Sequence, residues 1–248
     1  MDIHKPKAAH SWREFLVEIG TIICGILIAL GLEQGLEWLH TEHEIAETRH
    51  ALNAEIAANS NASIYGVAEL RCLVFASDRY IAWAKGGPRL PFAGGLYPLL
   101  QSTAWDASRG GPVLRMPTEE RLRYARYYGG VENARQLITG VRERSVLREQ
   151  YTRLDRLDPD QAKRLIELVN GSRTVVVGTG WNEVLLTAQA RKMGIEPGAV
   201  DPLARSLVES FCRTVGAPTP SFQIERDTSA YSRWALEAIG DSPSSGRQ

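Results

Sequence analysis

His40, His43, Glu47 and His50 recur at i, i+3, i+7 and i+10 near the start of the chain. On a helix this spacing lines three imidazoles and a carboxylate along one stripe. Two chemistries could follow. The nitrogen and oxygen donors suit a divalent transition metal, above all between two such helices, and the imidazoles would protonate near their ordinary pKa of about 6.5. A solvated polar face uses the same residues and is the simpler reading, so no metal ligand is assigned. With His4 and His10 these are all the histidines, and none follows His50. The remaining chain therefore lacks the usual base of a Ser-His-Asp or Cys-His centre, and a zinc ion there would find only carboxylates and thiols. No catalytic residue and no cofactor is expected, and the balance leans away from an enzyme.

The other chemistry-bearing residues are sparse. Cys24 lies in the most apolar stretch, whereas Cys72 and Cys212 sit far apart in polar sequence. If that region lies outside the cytoplasm, pairing Cys72 with Cys212 leaves no free thiol in an oxidising compartment; two unrelated buried thiols are the alternative. Asp106, Asp155, Asp158 and Asp160 are the acids a search for paired carboxylates would find, but helix capping explains Asp158 and Asp160. Tyr124, Tyr127 and Tyr128 beside Arg121, Arg123 and Arg126 would make an anion-binding surface, or one packed and one solvated helix face. Gly178-Thr179-Gly180 carries neither the third glycine of a dinucleotide fingerprint nor a following Gly-Lys-Ser/Thr, so a phosphate loop is not expected.

What must position these residues begins with an apolar segment. Phe15 to Leu32 holds a single charge, Glu18. As a helix it would span roughly 27 Å, close to the thickness of a bilayer's hydrocarbon core. Ser11 and Glu14 fit a capping box before it, Trp12 and Trp38 flank it as interfacial aromatics, and Glu18 can snorkel toward the headgroups. Lys5, Lys7 and Arg13 precede the segment, while five glutamates, Glu33 to Glu47, follow it before Arg49. This bias places the N-terminus in the cytoplasm. Two other readings stand beside a retained anchor. A cleaved signal peptide would use Ala29-Leu30-Gly31 for processing, but Glu18 breaks its apolar region and the helical pattern continues to Leu39. A buried core helix would need only the fourteen uncharged residues Ile19 to Leu32.

Turned at 100° per residue, the segment gathers Gly20, Thr21, Cys24, Gly25, Ala29, Gly31 and Gly35 on one half and Ile22, Ile23, Ile26, Leu27 and Leu30 on the other. Thr21-Gly25-Ala29 and Gly31-Gly35 are spacings that let helix backbones approach closely in lipid. Self-association, or docking onto another envelope membrane protein, is the expectation they carry. The stretch Val17 to Leu30, with Glu18-Ile19-Gly20 followed by Gly25-Ile26-Leu27-Ile28-Ala29-Leu30, resembles the N-terminal anchor of an uncharacterised family of bacterial single-pass membrane proteins. That resemblance implies topology and helical character over about twenty-five residues. It brings no activity with it.

Beyond the anchor the sequence predicts helices throughout. Glu33 to Ala62 reads as a helical stalk continuing the membrane helix, and Ile64 to Trp83 as an amphipathic helix stopped by Gly86-Gly87-Pro88. A loop over 86–95, a short helix over Leu96 to Ser108 and a stop at Gly110-Gly111-Pro112 follow. Thr118 is expected to cap a helix that Gly129-Gly130 divides and that ends near Leu157. Asp158-Pro159-Asp160-Gln161 signals the next start, and Asp201-Pro202 begins a helix running to about Val215. Thr174-Val175-Val176-Val177 would suit a strand, but no second strand-like run exists to pair with it, so a continued or broken helix to about Met193 is preferred.

The expected organisation is mainly α: residues 1–14 cytoplasmic, 15–36 a transmembrane helix, 37–62 a stalk, 63–239 an extracytoplasmic helical bundle and 240–248 a disordered tail. The net charge of zero argues against a nucleic-acid partner. It is a cancellation, since residues 15–70 carry one arginine against eight glutamates and the flanking sequence is basic. The functional expectation is a membrane-anchored interaction or structural protein of the bacterial inner membrane with its domain in the periplasm or outside the cell. An extracytoplasmic small-ligand sensor or enzyme with an unrecognised site is the alternative.

Overall fold

The computed structural model describes residues 12–90, 97, 99–199, 201–222 and 228–239; the Ser11 cap and the 240–248 tail lie outside them. The fold is mainly α, with seven helices and no strand among the described residues. The chain forms two compact units, Met1–Arg49 and His50–Gln248, and α1, Trp12–Ala84, supplies residues to both.

In the first unit α1 holds a stretch long and apolar enough to cross a membrane, none of it buried. Ile22, Ile23, Ile26, Leu27 and Leu30 are all exposed. Uncovered apolar surface of this extent is costly in water. The hydroxyl of Thr21 donates to the Val17 carbonyl at 2.8 Å, leaving no unsatisfied polar group on that side chain.

The second unit is a helical bundle built around the rest of α1. After α1 come α2 (Thr103–Ser108), α3 (Pro112–Arg115), α4 (Thr118–Thr152), α5 (Pro159–Lys192), α6 (Pro202–Val215) and α7 (Thr228–Ile239). Leu52 and Ile56 of α1, Tyr127 and Val131 of α4, Leu165 and Val169 of α5 and Val208 of α6 fill the core. The four-residue spacing of these pairs gives α1, α4 and α5 each an apolar face to bury. Residues 50–62, read from the sequence as stalk, are packed here, Leu52 and Ile56 being fully buried.

Several helix boundaries depart from the sequence reading. Gly129-Gly130 does not divide α4, because Leu186 of α5 fits where a side chain at 130 would stand, its Cδ2 2.8 Å from that Cβ position. Thr118 does not cap α4. Pro117 occupies the cap position, and its carbonyl accepts from the Arg121 N–H at 3.0 Å, so the threonine comes one residue too late. The helix ends at Thr152 rather than near Leu157, where Arg89 donates to the Thr152 carbonyl and pairs with Asp155 at 3.0 Å. The helix expected over 96–108 is only α2. Asn59 takes up the backbone of Gln101 from both sides, donating to its carbonyl at 2.8 Å and accepting from its N–H at 2.7 Å, which holds that residue out of a helix.

Other signals match their elements. Residues 173–180 are helical within α5, with Val176 and Val177 buried. Asp158 and Gln161 form a reciprocal capping box with Pro159 in the first turn. Asp201 accepts from the Leu203 N–H at 2.9 Å to begin α6. Gly216 ends α6 at φ 73°, a left-handed position that favours glycine, and Arg79 donates to the Val215 carbonyl at 3.0 Å. Cys72 of α1 and Cys212 of α6 are joined as a disulfide with a Cα separation of 5.3 Å.

Candidate functional site

In the first unit the small-residue half of α1 is bare: a Cβ added at Gly20, Gly25, Gly31 or Gly35 would meet nothing within 4 Å. Cys24 is exposed as a free thiol on the same half. The face is therefore open to a second helix. His40, His43 and Glu47 belong to this unit and His50 to the other. His43 Nε2 lies 3.2 Å from Glu47 Oε1, both side chains being exposed. Among the described residues no group of three or more His, Cys, Asp and Glu side chains is placed to hold a metal ion.

The tyrosine and arginine residues of α4 do not converge on a surface. Tyr124, Tyr127 and Tyr128 are buried toward α1, where the Tyr124 hydroxyl donates to Asn53 Oδ1 and that of Tyr128 to Glu55 Oε1, each at 2.8 Å. Arg123 and Arg126 face solvent. Burial raises the pKa of Tyr128 well above its ordinary value, and the hydrogen bond to Glu55 adds to that. Gly178-Thr179-Gly180 lies inside α5, and the Tyr231 hydroxyl fills the space a Cβ at 180 would need. Of the acids, Asp106 takes a hydrogen bond from Ser102 Oγ at 2.8 Å and Asp155 pairs with Arg89, while Asp155 and Asp158 both line a hollow beside Trp83 and Lys85.

What the structure does assemble is a cavity of about 410 Å³ in the second unit, between α1, α6 and the segment holding Tyr97 and Leu99. Ala58, Ala62 and Gly66 step along one face of α1 at four-residue intervals and provide an apolar floor, flanked by Asn61, Tyr65 and Glu69. Ala204, Leu207 and Val208 of α6 form the facing wall. The disulfide fixes α6 against α1 along this face, and the Asp201 N–H donates to the Tyr65 hydroxyl at its edge. Tyr97 is held at φ 49°, a left-handed conformation unusual for a side chain of this size. Its N–H donates to Glu69 Oε2 at 3.1 Å, and its hydroxyl bonds Ser145.

Two carboxyl groups lie at the base of this arrangement. Glu69 lines the cavity and is 2% exposed. Glu183 of α5 is fully buried behind Gly66, and neither of its oxygens has a hydrogen-bond partner. Burial, with the Glu69 charge adding to it, pushes the Glu183 carboxyl well above the usual carboxylate range. Asn61 Oδ1 is also buried without a partner.

Sequence reasoning missed Asn61, Glu69, Tyr97 and Glu183. A signal was present for the last: Val176, Gly180, Glu183, Thr187 and Ala190 follow the spacing of a buried face, and a lone acid in such a stripe is unusual. Tyr97 and Leu99 carry no comparable pattern. No protein-family model, no curated protein and no solved structure matches the chain.

Proposed function

We propose that this is a single-pass membrane protein whose N-terminus lies in the cytoplasm and whose helical domain works outside it as an interaction or structural element. The observation that carries the reading is the pairing, in one chain, of a bare apolar helix with a disulfide inside the folded unit. Lipid is the environment in which the first is stable, and an oxidising compartment is where the second persists. Lys5, Lys7 and Arg13 ahead of the helix support the orientation, and a bacterial inner membrane with a periplasmic domain accommodates both features. The open small-residue half supports association with a second copy or with another envelope membrane protein.

Alkaline phosphatase fused after Gly240 is expected to be active in a Gram-negative host. An inactive fusion combined with an active cytoplasmic reporter at the same position would reject the orientation. For association, Gly25→Leu with Gly31→Leu should lower the oligomeric fraction in an in-membrane assay. Unchanged association would remove this face from the interaction.

A second reading, in which the domain binds a small extracytoplasmic ligand, is favoured by the cavity between α1 and α6. Its volume falls within the range of small-molecule sites, and its lining is apolar with a few polar groups.

A further inference from the structure

We propose that the Glu183 carboxyl is a proton-operated latch for α7: the helix docks on α1 and α5 while the carboxyl carries its proton, and is released when the proton leaves. The seam between α1 and α5 carries the inference. Gly66 of α1 lies against Glu183 of α5, and one turn along, Leu70 of α1 lies beside Gly180 of α5. Glu183 fills the seam at the first point, fully buried and with no hydrogen-bond partner on either oxygen. Tyr231 of α7 fills it at the second. Its hydroxyl stands in the notch at Gly180 and donates to the Val177 carbonyl at 3.1 Å. Tyr231 therefore closes the seam about one helical turn from the carboxyl, and lifting it opens the way for water to reach Glu183.

A buried charge without a partner costs far more than a buried neutral carboxyl, and the element that yields to it is the one held least firmly. The Cys72–Cys212 bond ties α6 to α1. α7 has twelve residues and is held by ring contacts: Tyr231 stacks on Trp181 at 6.1 Å, and Arg71 of α1 lies over the Trp234 ring at 5.5 Å. The groups around the latch set its direction. From α1, the Glu69 charge adds to burial in raising the Glu183 carboxyl. From α7, the titratable group is Tyr231, which burial and then Glu183 push upward and Arg71 lowers, so its hydroxyl stays a donor through the neutral range. α4 turns its buried titratable groups elsewhere: Tyr127 to the Ile56 carbonyl, Tyr128 to Glu55, and Arg148 to Ser145 and the Tyr80 ring. Raising the pH therefore removes the Glu183 proton at this seam, and α7 leaves with it.

The test uses the full chain in lipid nanodiscs, with Cys24→Ser and spin labels at Leu185→Cys of α5 and Leu236→Cys of α7, both exposed positions. Double electron–electron resonance reads their separation from pH 5 to 9. One short separation is expected at pH 5, joined by a longer one that grows with pH and disappears on return to pH 5. Glu183→Gln, which cannot ionise, should keep the short separation at every pH. Tyr231→Phe removes the bond to the Val177 carbonyl and should lower the midpoint of release by about one pH unit, the size of one net hydrogen bond; it decides the matter if Glu183→Gln does not fold. A second label pair, Leu147→Cys of α4 with Leu185→Cys, should hold its separation throughout, because α4 and α5 stay together. A separation between α5 and α7 that ignores pH, a release that persists in Glu183→Gln, or an unshifted midpoint in Tyr231→Phe would overturn the latch. So would broadening of both label pairs together, which would mean that the whole unit unfolds.

Discussion

The carboxyl of Glu183 lies against the bare Cα of Gly66: a Cβ at 66 would stand 2.3 Å from Oε2 and 2.7 Å from both Cδ and Oε1. α1 and α5 approach closely at this point because one contributes no side chain. The polar group that fills the space is fully buried and unpartnered, an arrangement that costs free energy even when the group is neutral and far more when it is ionised.

Gly66→Ala should therefore destabilise the second unit by about 1–3 kcal/mol, the usual penalty for overpacking a core that cannot yield. Because the clash is with one named side chain, Glu183→Ala in the same background should restore part of the loss. Unfolding of the full chain followed by circular dichroism, for both single variants and the double, gives the coupling between the two sites. An additive result would mean that Gly66 is needed for some reason other than the Glu183 carboxyl.

The same carboxyl gives the fold a pH dependence of known sign. Unfolded, Glu183 releases its proton near the ordinary value of about 4.3, whereas in the folded chain it keeps it to a well higher pH. Between those two limits the native state binds the extra proton, so stability falls as pH rises, by up to about 1.4 kcal/mol per pH unit. Below the lower limit both states are protonated and the contribution is fully retained. Comparing denaturant midpoints of wild type and Glu183→Gln from pH 5 to 8 isolates this effect from other titrating groups. The wild type should lose stability relative to the variant across that range, and parallel curves would show that Glu183 is ionised in the fold.

Cys72 and Cys212 are separated by 140 residues in sequence, so their bond restricts a large part of the unfolded chain. Chain-entropy arguments put such a closure at up to about 5 kcal/mol. Cys72→Ser and Cys212→Ser should lower the melting temperature equally, shift mobility on a nonreducing gel equally, and match the reduced wild type. Thiol titration of the unreduced, denatured chain should find Cys24 alone. Three reactive thiols there would remove both the bond and its bearing on compartment.

The signals that were legible in the sequence are local ones. Asp158-Pro159 and Asp201-Pro202 start helices because the cap and the fixed proline φ act within a single turn, and the apolar run of α1 needs no tertiary information to be recognised. Glycine misled at 130, where a remote contact decides: its helical cost, about 1 kcal/mol, is outweighed because Leu186 packs into the space it leaves. The cavity was hidden for a related reason. Asn61 and Glu69 are ordinary residues for an exposed helix, and only the docking of α6 and the Tyr97 segment encloses them. The disulfide was found by counting cysteines and assigning a compartment, whereas the contact between Glu183 and Gly66 has no counterpart in any local pattern.

The two long-helix starts allow cap chemistry to be tested within one molecule. At α5 the Asp158 carboxylate accepts from the Gln161 N–H at 2.8 Å and the Gln161 side chain accepts from the Asp158 N–H at 3.0 Å. At α4 the Thr118 side chain makes no capping bond. Asp158→Ala should therefore cost about 1 kcal/mol, the typical loss for removing a side-chain cap, and Asp158→Asn only a fraction of it. Thr118→Ala should stay within about 0.5 kcal/mol of wild type, as surface substitutions without a specific contact do. Urea unfolding of the full chain at neutral pH measures all three. A loss at Thr118 equal to that at Asp158 would show that α4 begins one residue later in solution, with the threonine hydroxyl as its cap.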